Sequence, residues 1–322
     1  MATNYPALIV TFAREEGLQR LISIGIDSGI KRFYIAIDGP RTEEHRLSQV
    51  KMRDHLAELN KVSDLEFFVW QRTENLGAAA GVLTAINWFF SREKAGIILE
   101  DDLVPSSDFF TFAAKALDFY EHNPEVWVIS GSRMLPSDSD NTSSGWSRYP
   151  MIWGWATWRE KWQSMSSLVT TPDHLSVRNF FNARLNFWHT GARRAQAGLV
   201  DAWDTPLANA QFKNMKYTVI PPVNLVTNVG YDMKATHTSG ADYPLNHPVV
   251  TLPKDFELLQ NVSFKNAHLY DRVLEDQLFH IKFHHAFLGI YGPILDLLKS
   301  RKQCRGSLSK RMRQITLPNG NL

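Results

Sequence analysis

Three carboxylates in succession, Glu100, Asp101 and Asp102, follow the apolar run Gly96-Ile97-Ile98-Leu99. Acidic side chains form strands poorly and repel one another when crowded. Their chemistry suits a hard divalent cation, because Mn2+ or Mg2+ is commonly held by one or two carboxylates together with substrate phosphates. Neighbouring side chains on an extended strand end point to different sides. Asp102 could therefore meet a metal directly while Glu100 and Asp101 reach a ribose or a metal-bound water. A second carboxylate pair, Asp201 and Asp204, flanks Ala202-Trp203 just ahead of Thr205-Pro206. One of the two could accept a proton from an attacking hydroxyl. The other could cap the helix that Thr205-Pro206 opens. Trp153, Gly154 and Trp155 suggest an apolar platform under a sugar ring, with Gly154 permitting close approach, although tryptophans also build cores. His237 lies in a polar loop-like stretch and is a candidate imidazole ligand.

These residues need elements to hold them. Residues 6–12, 31–38, 65–71 and 95–99 read as short buried strands, and 127–130 as another. Helical spacing alternates with them at 15–28, 42–59, 78–91 and 107–123. Such alternation predicts an α/β fold with a mostly parallel Rossmann-like sheet flanked by helices. Ligands of such sheets bind beyond the carboxyl ends of the strands. Each of those ends is polar: Thr11 to Arg14, Asp38 to Arg41, Arg72 to Asn75, and Glu100 to Asp102. Small residues at 77–81 open the third helix, whose free N–H groups would suit a phosphate or carbonyl. No G-x-G-x-x-G follows the first strand, which weighs against a dinucleotide site. Further on, helices are expected at 177–199 and 205–214. A strand interrupted by Pro221-Pro222 is expected at 217–225, and loop at 137–147 and 228–248. From about residue 269 the chain turns helical and basic.

Composition narrows the class. The chain has 322 residues, 44% of them hydrophobic, enough for a large core. Lys and Arg number 35 against 33 Asp and Glu, so the balance gives no case for nucleic acid. Cys304 is the single cysteine, which excludes an internal disulfide and fits a reducing compartment. Neither a signal peptide nor a spanning apolar run is evident, so the expectation is a cytoplasmic protein. Apolar residues at 287–298 followed by basic ones at 299–313 could rest on an anionic membrane surface or pack as a solvated terminal helix.

The segments VTFAR, AIDGPR, RTENLGAAAG and ILEDDLVPSSDFF resemble the nucleotide-sugar-binding half of GT-A glycosyltransferases, and N-acetylglucosaminyltransferase I with its bacterial relatives in particular. MIWGWATWREKW, DAWDTPLANAQ and LVTNVGYDMKATHT resemble the second half of bacterial sugar transferases of that group. Together they cover residues 7 to 240. The resemblance implies that Asp102 ligates Mn2+ (or Mg2+), that Glu100 and Asp101 support the donor, and that Thr11 and Arg14 lie at the uridine and diphosphate. It implies further that Asp38 contacts the nucleoside, that Arg72, Asn75 and Gly77 line the base or ribose side, that His237 completes the metal or diphosphate site, and that Asp204, ahead of Asp201, is the base. Tyr231 to Lys234 depart from the family pattern.

The expected organisation is a donor half at 1–130, an acceptor and catalytic half at 131–265, and a helical basic extension at 266–322. The expected activity is metal-dependent transfer, with inversion, from a UDP-sugar to a glycan or lipid-linked glycan in bacterial surface polysaccharide synthesis. A non-catalytic carbohydrate- or nucleotide-binding module is the alternative. A nucleotidyltransferase ranks lower, since no basic Gly-rich loop stands near the N-terminus.

Overall fold

The computed structural model describes residues 4–62, 64–136, 141–171, 182–230, 246–281 and 285. Its centre is an eight-stranded sheet in the order β3-β2-β1-β4-β8-β6-β9-β7. Here β1 is Ala7–Thr11, β2 Arg32–Ile37, β3 Glu66–Gln71 and β4 Ala95–Glu100. The remaining strands of the sheet are β6 (Val126–Ser130), β7 (Gly145–Ser147), β8 (Trp155–Trp158) and β9 (Tyr217–Ile220). Strands β3, β2, β1, β4, β6 and β9 run one way, and β8 and β7 run against their neighbours. The sheet is thus mixed but mostly parallel, as the alternation predicts. It continues without a break past residue 130, because β8 lies between β4 and β6.

Helices cover both faces, so the central strands are apolar throughout rather than alternating. On one face Ile9, Ile35, Ile97 and Leu99 pack with residues of α1 (Glu15–Asp27), α2 (Glu43–Val62) and α4 (Ser107–Phe119). The α1 contribution is Leu18, Leu21 and Ile22, the i, i+3, i+4 spacing of a buried helical stripe. On the other face Leu8, Tyr34, Ala36 and Ile98 meet α3 (Gly77–Phe90), α5 (Arg159–Thr170) and α7 (Asp204–Lys213). A two-stranded ribbon joins β5 (Leu103–Pro105) to β10 (Val226–Asn228), antiparallel. It carries the chain from the sheet end back past Asp102, whose carbonyl accepts the Val229 N–H at 2.8 Å.

The interruption expected at Pro221-Pro222 is present: β9 ends at Ile220, because neither proline can donate to a ladder, and pairing resumes at Val226, just past the expected span. In the tryptophan-rich run, 155–158 is strand and 159–162 begins a helix, and Trp155 is 1% exposed. It packs against Trp162 and Trp203 at ring separations of 6.1 and 6.0 Å. A sugar platform at Trp155 is therefore corrected to core.

The last described helix, α8 (Phe264–Leu274), runs into a π-helical turn at Glu275–Phe279. It docks through buried charge. Asp271 accepts from the Ser147 hydroxyl at 2.6 Å and from the Arg148 N–H at 3.1 Å. Glu275 accepts from the Tyr149 hydroxyl and pairs with Arg184 of α6 (Ala183–Gln196). Burial pushes the Asp271 carboxyl up to about 7, against the pull of Ser147, Arg148 and Arg184. Between its unfolded value and that one, the folded chain keeps a proton that the unfolded chain has released. Its contribution is complete at acid pH and is lost as pH rises through about 7. Wild type should therefore lose melting temperature relative to Asp271→Asn between pH 5 and pH 8. A gap that stays constant or moves the other way in a thermal melt contradicts this.

Candidate functional site

The acidic triplet sits where β4 ends, beside the end of β1. Asp101 is the best anchored. Its Oδ2 accepts from the Thr11 hydroxyl at 2.8 Å and the Phe12 N–H at 3.0 Å. Its Oδ1 lies 3.1 Å from Arg14 Nη1. The same Nη1 is 3.1 Å from Asp102 Oδ2, so one guanidinium nitrogen bridges two carboxylates. Behind them α1 crosses so closely that a Cβ on Gly17 would stand 2.0 Å from the Asp101 carbonyl oxygen. Only glycine allows that approach.

Electrostatically the corner is overloaded with negative charge. Burial first, then Asp102, Asp101 and Asp204, push the Glu100 carboxyl up to about 8, and Arg14 works against them. Burial also raises Asp101, partly offset by Arg14 and the two hydrogen bonds. Burial disfavours the charge of Arg14, but Asp101 and Asp102 outweigh it and hold the guanidinium above its ordinary value. Asp204, at the start of α7, is near enough for its charge to be felt at Glu100. Asp204 is exposed. Its Oδ1 accepts the Thr205 N–H at 2.8 Å, and its Oδ2 makes no hydrogen bond among the described residues. It both opens the helix and keeps one oxygen for solvent.

The start of α3 departs from expectation. Asp38 accepts from the N–H groups of Leu76 and Gly77 at 3.0 to 3.1 Å. Asp201 accepts from Ala78 and Ala79 at 3.1 and 2.8 Å. Those are the free donors of this helix N-terminus, and protein carboxylates take them. A phosphate has no place there. Gly77, at φ +81°, makes the left-handed entry that aims these donors, and a Cβ on it would press on Asp201. Asp201 is thereby corrected from second base to cap. Asn75-Leu76-Gly77 supplies no side chain that caps the helix locally, and Asp201 fills that place from a distant part of the chain. Asp201→Ala should cost about 1–2 kcal/mol, the usual worth of a cap, read as a lower melting temperature. Loss of this tie should also loosen Asp204, three residues on.

Arg72 and Asp38 are likewise turned inward. Arg72 Nη2 donates to the Gly81 carbonyl and the Thr84 hydroxyl, its Nη1 lies 3.7 Å from Asp38, and its guanidinium stacks on Trp70 at 4.3 Å. Both are corrected from ligand contacts to struts under α3. Asn75 remains on the rim, donating to the Gly39 carbonyl and accepting from exposed Arg41, each at 2.9 Å. Trp153 is partly buried against the main core. A Cβ on Gly154 would lie 2.9 Å from Val226, so that glycine serves packing rather than ligand approach. His237 lies outside the described residues. Sequence reading missed Gln49, whose amide donates to the carbonyls of Phe12 at 2.7 Å and Asp38 at 2.9 Å, fastening the ends of β1 and β2. The available signal was a polar residue on the α2 stripe shared with Met52 and Leu56.

No protein-family model matches the chain, and no curated protein matches it. Solved structures show partial similarity. HddC from Yersinia pseudotuberculosis aligns over 48% of this chain and 77% of its own, at 12% identity and a TM-score of 0.29. UDP-glucose pyrophosphorylase complexed with UDP-glucose aligns over 54% and 81%, at 9% identity and 0.33. A Bacillus anthracis protein described as a candidate glucose-1-phosphate thymidylyltransferase aligns over 70% and 89%, at 10% identity and 0.40. Similarity this distant carries no argument. The α/β class stands on the topology of the chain itself.

Proposed function

We propose that this chain is a glycosyltransferase that moves a sugar from a nucleoside diphosphate sugar, UDP-sugar first among them, to a hydroxyl of a glycan or lipid-linked glycan. One observation carries the reading. A guanidinium and three carboxylates meet at the ends of β1 and β4, and the solvent-facing Asp204 at the start of α7 is near enough to add its charge to that on Glu100. That combination suits a diphosphate and a cation on one side and proton removal on the other.

Mn2+ or Mg2+ fits the donor set. The carboxylates are hard oxygen ligands, Arg14 already stands as a cation against Asp102, and Glu100 is crowded enough to be pushed toward its neutral form. Among the described residues no group of three or more His, Cys, Asp or Glu could hold a metal alone. Asp102 would therefore share the cation with phosphate oxygens, Glu100 and Asp101 would support the donor, and His237 is a further candidate ligand. When bound, the cation would offset charge on the departing diphosphate. Arg14 would donate to the diphosphate, and Thr11 would hold Asp101 in place beneath it. Asp204 would take the proton of the attacking hydroxyl. A single base on this rim favours direct displacement with inversion at the anomeric carbon.

The test is product analysis with Mn2+, a panel of nucleotide sugars and glycan acceptors. Free nucleoside diphosphate and an inverted glycoside are expected. Pyrophosphate released from a nucleoside triphosphate and a sugar phosphate would mean a nucleotidyltransferase, and neither product would mean a binding module. Among the described residues no helix is long and apolar enough to cross a membrane. Contact of residues 286–322 with an anionic membrane belongs to the proposal. Equal pelleting with liposomes after their removal would refute it.

A further inference from the structure

Arg14 is placed where a metal would compete with it. Asp101 is committed on its other oxygen to Thr11 and Phe12 and is 10% exposed at the side chain. Asp102 is the open partner, 24% exposed, and its Oδ2 faces Arg14 Nη1 at 3.1 Å. Arg14 itself is 38% exposed and stands on the short link between β1 and α1, so its long side chain is free to swing outward. We propose that Arg14 is a built-in counter-ion: it occupies Asp102 in the empty protein, competes there with the divalent cation, and gives Asp102 up more readily once a diphosphate arrives. This rests on the donor-site reading above and adds the order in which its charges assemble.

The physical reason is charge balance. Empty, the corner sets one guanidinium against Asp101 and Asp102. A divalent cation entering alone would crowd two further positive charges against that guanidinium, and like charges at contact disfavour each other. A diphosphate removes the conflict, because its oxygens accept the guanidinium fork and also complete the cation's shell. Cation and nucleotide should therefore bind with positive coupling, equal in either order. Arg14 thus has two roles, holding Asp102 in the empty site and the diphosphate in the filled one, and its signature is a change in metal affinity that a purely structural arginine would not produce.

The experiment titrates Mn2+ into the full chain, with and without UDP, and follows free Mn2+ by its paramagnetic resonance signal. In wild type, UDP should tighten Mn2+ binding about tenfold or more. Arg14→Gln should bind Mn2+ alone about threefold tighter than wild type and lose part of the coupling, since the competing charge is gone while phosphate oxygens can still complete the cation's shell. Arg14→Lys keeps the charge without the fork and should fall between them, which also serves if the glutamine variant melts early. Arg14→Gln binding Mn2+ alone no tighter than wild type, or keeping full coupling, overturns the inference and leaves the donor site standing. No Mn2+ binding by wild type with or without UDP overturns the donor-site reading, and this inference with it.

Discussion

Asp204→Asn should lower kcat by about 10²- to 10⁴-fold, the usual worth of a general base, with donor affinity almost unchanged. The asparagine keeps the oxygen that accepts the Thr205 N–H, so the start of α7 should hold. What is lost is the second oxygen, which makes no hydrogen bond among the described residues and is the one left for an acceptor hydroxyl. Removing its negative charge also eases Glu100, since Asp204 is among the charges pushing that carboxyl up. Donor binding should survive or tighten slightly. Steady-state kinetics beside a calorimetric donor titration separates the two quantities. If donor affinity falls as far as kcat, Asp204 is a helix cap and not the base.

Asp102→Ala should have the larger effect: metal-dependent transfer lost by about 10³-fold or more, since removing the ligand removes the charge that stabilises the departing diphosphate. The fold should tolerate the change. Asp102 is the more exposed of the two carboxylates bridged by Arg14, and Asp101 keeps its bonds to Thr11 and Phe12. The loss should therefore appear as a missing Mn2+-dependent shift in nucleotide binding, with an unchanged melting temperature in the absence of ligand. Near-normal transfer by Asp102→Ala would remove Asp102 from the metal site.

What could be read in the sequence depended on how locally each feature is determined. Strands β1, β2 and β4 are buried on both faces, so their composition alone marks them. The α1 stripe follows from spacing. Strand β8 was hidden because its four residues, Trp155-Ala156-Thr157-Trp158, carry no run of Ile, Leu or Val like those that mark the other buried strands. Strands β5 and β7 are too short to show a period. The site divided in the same way. A carboxylate at a strand end looks alike whether it faces a ligand or a helix N-terminus. Asp38, just past the end of β2, turned out to face α3, and Asp201, in the loop ahead of α7, caps the same helix from 123 positions away. Asp101 and Asp102 share one guanidinium instead, a pairing set by the adjacency of β1 and β4 and not by any local pattern.

The most direct measurement is a thermal-shift panel of nucleoside diphosphate sugars with the intact protein, each with Mn2+ and with EDTA. Ligands that bind only the folded chain raise its melting temperature. A donor site at the ends of β1 and β4 requires at least one nucleotide sugar to raise it in Mn2+, the shift to vanish in EDTA, and Asp102→Ala to abolish it. If no nucleotide sugar shifts the wild-type protein, or if the shift is the same in EDTA and in Asp102→Ala, the donor site is not there.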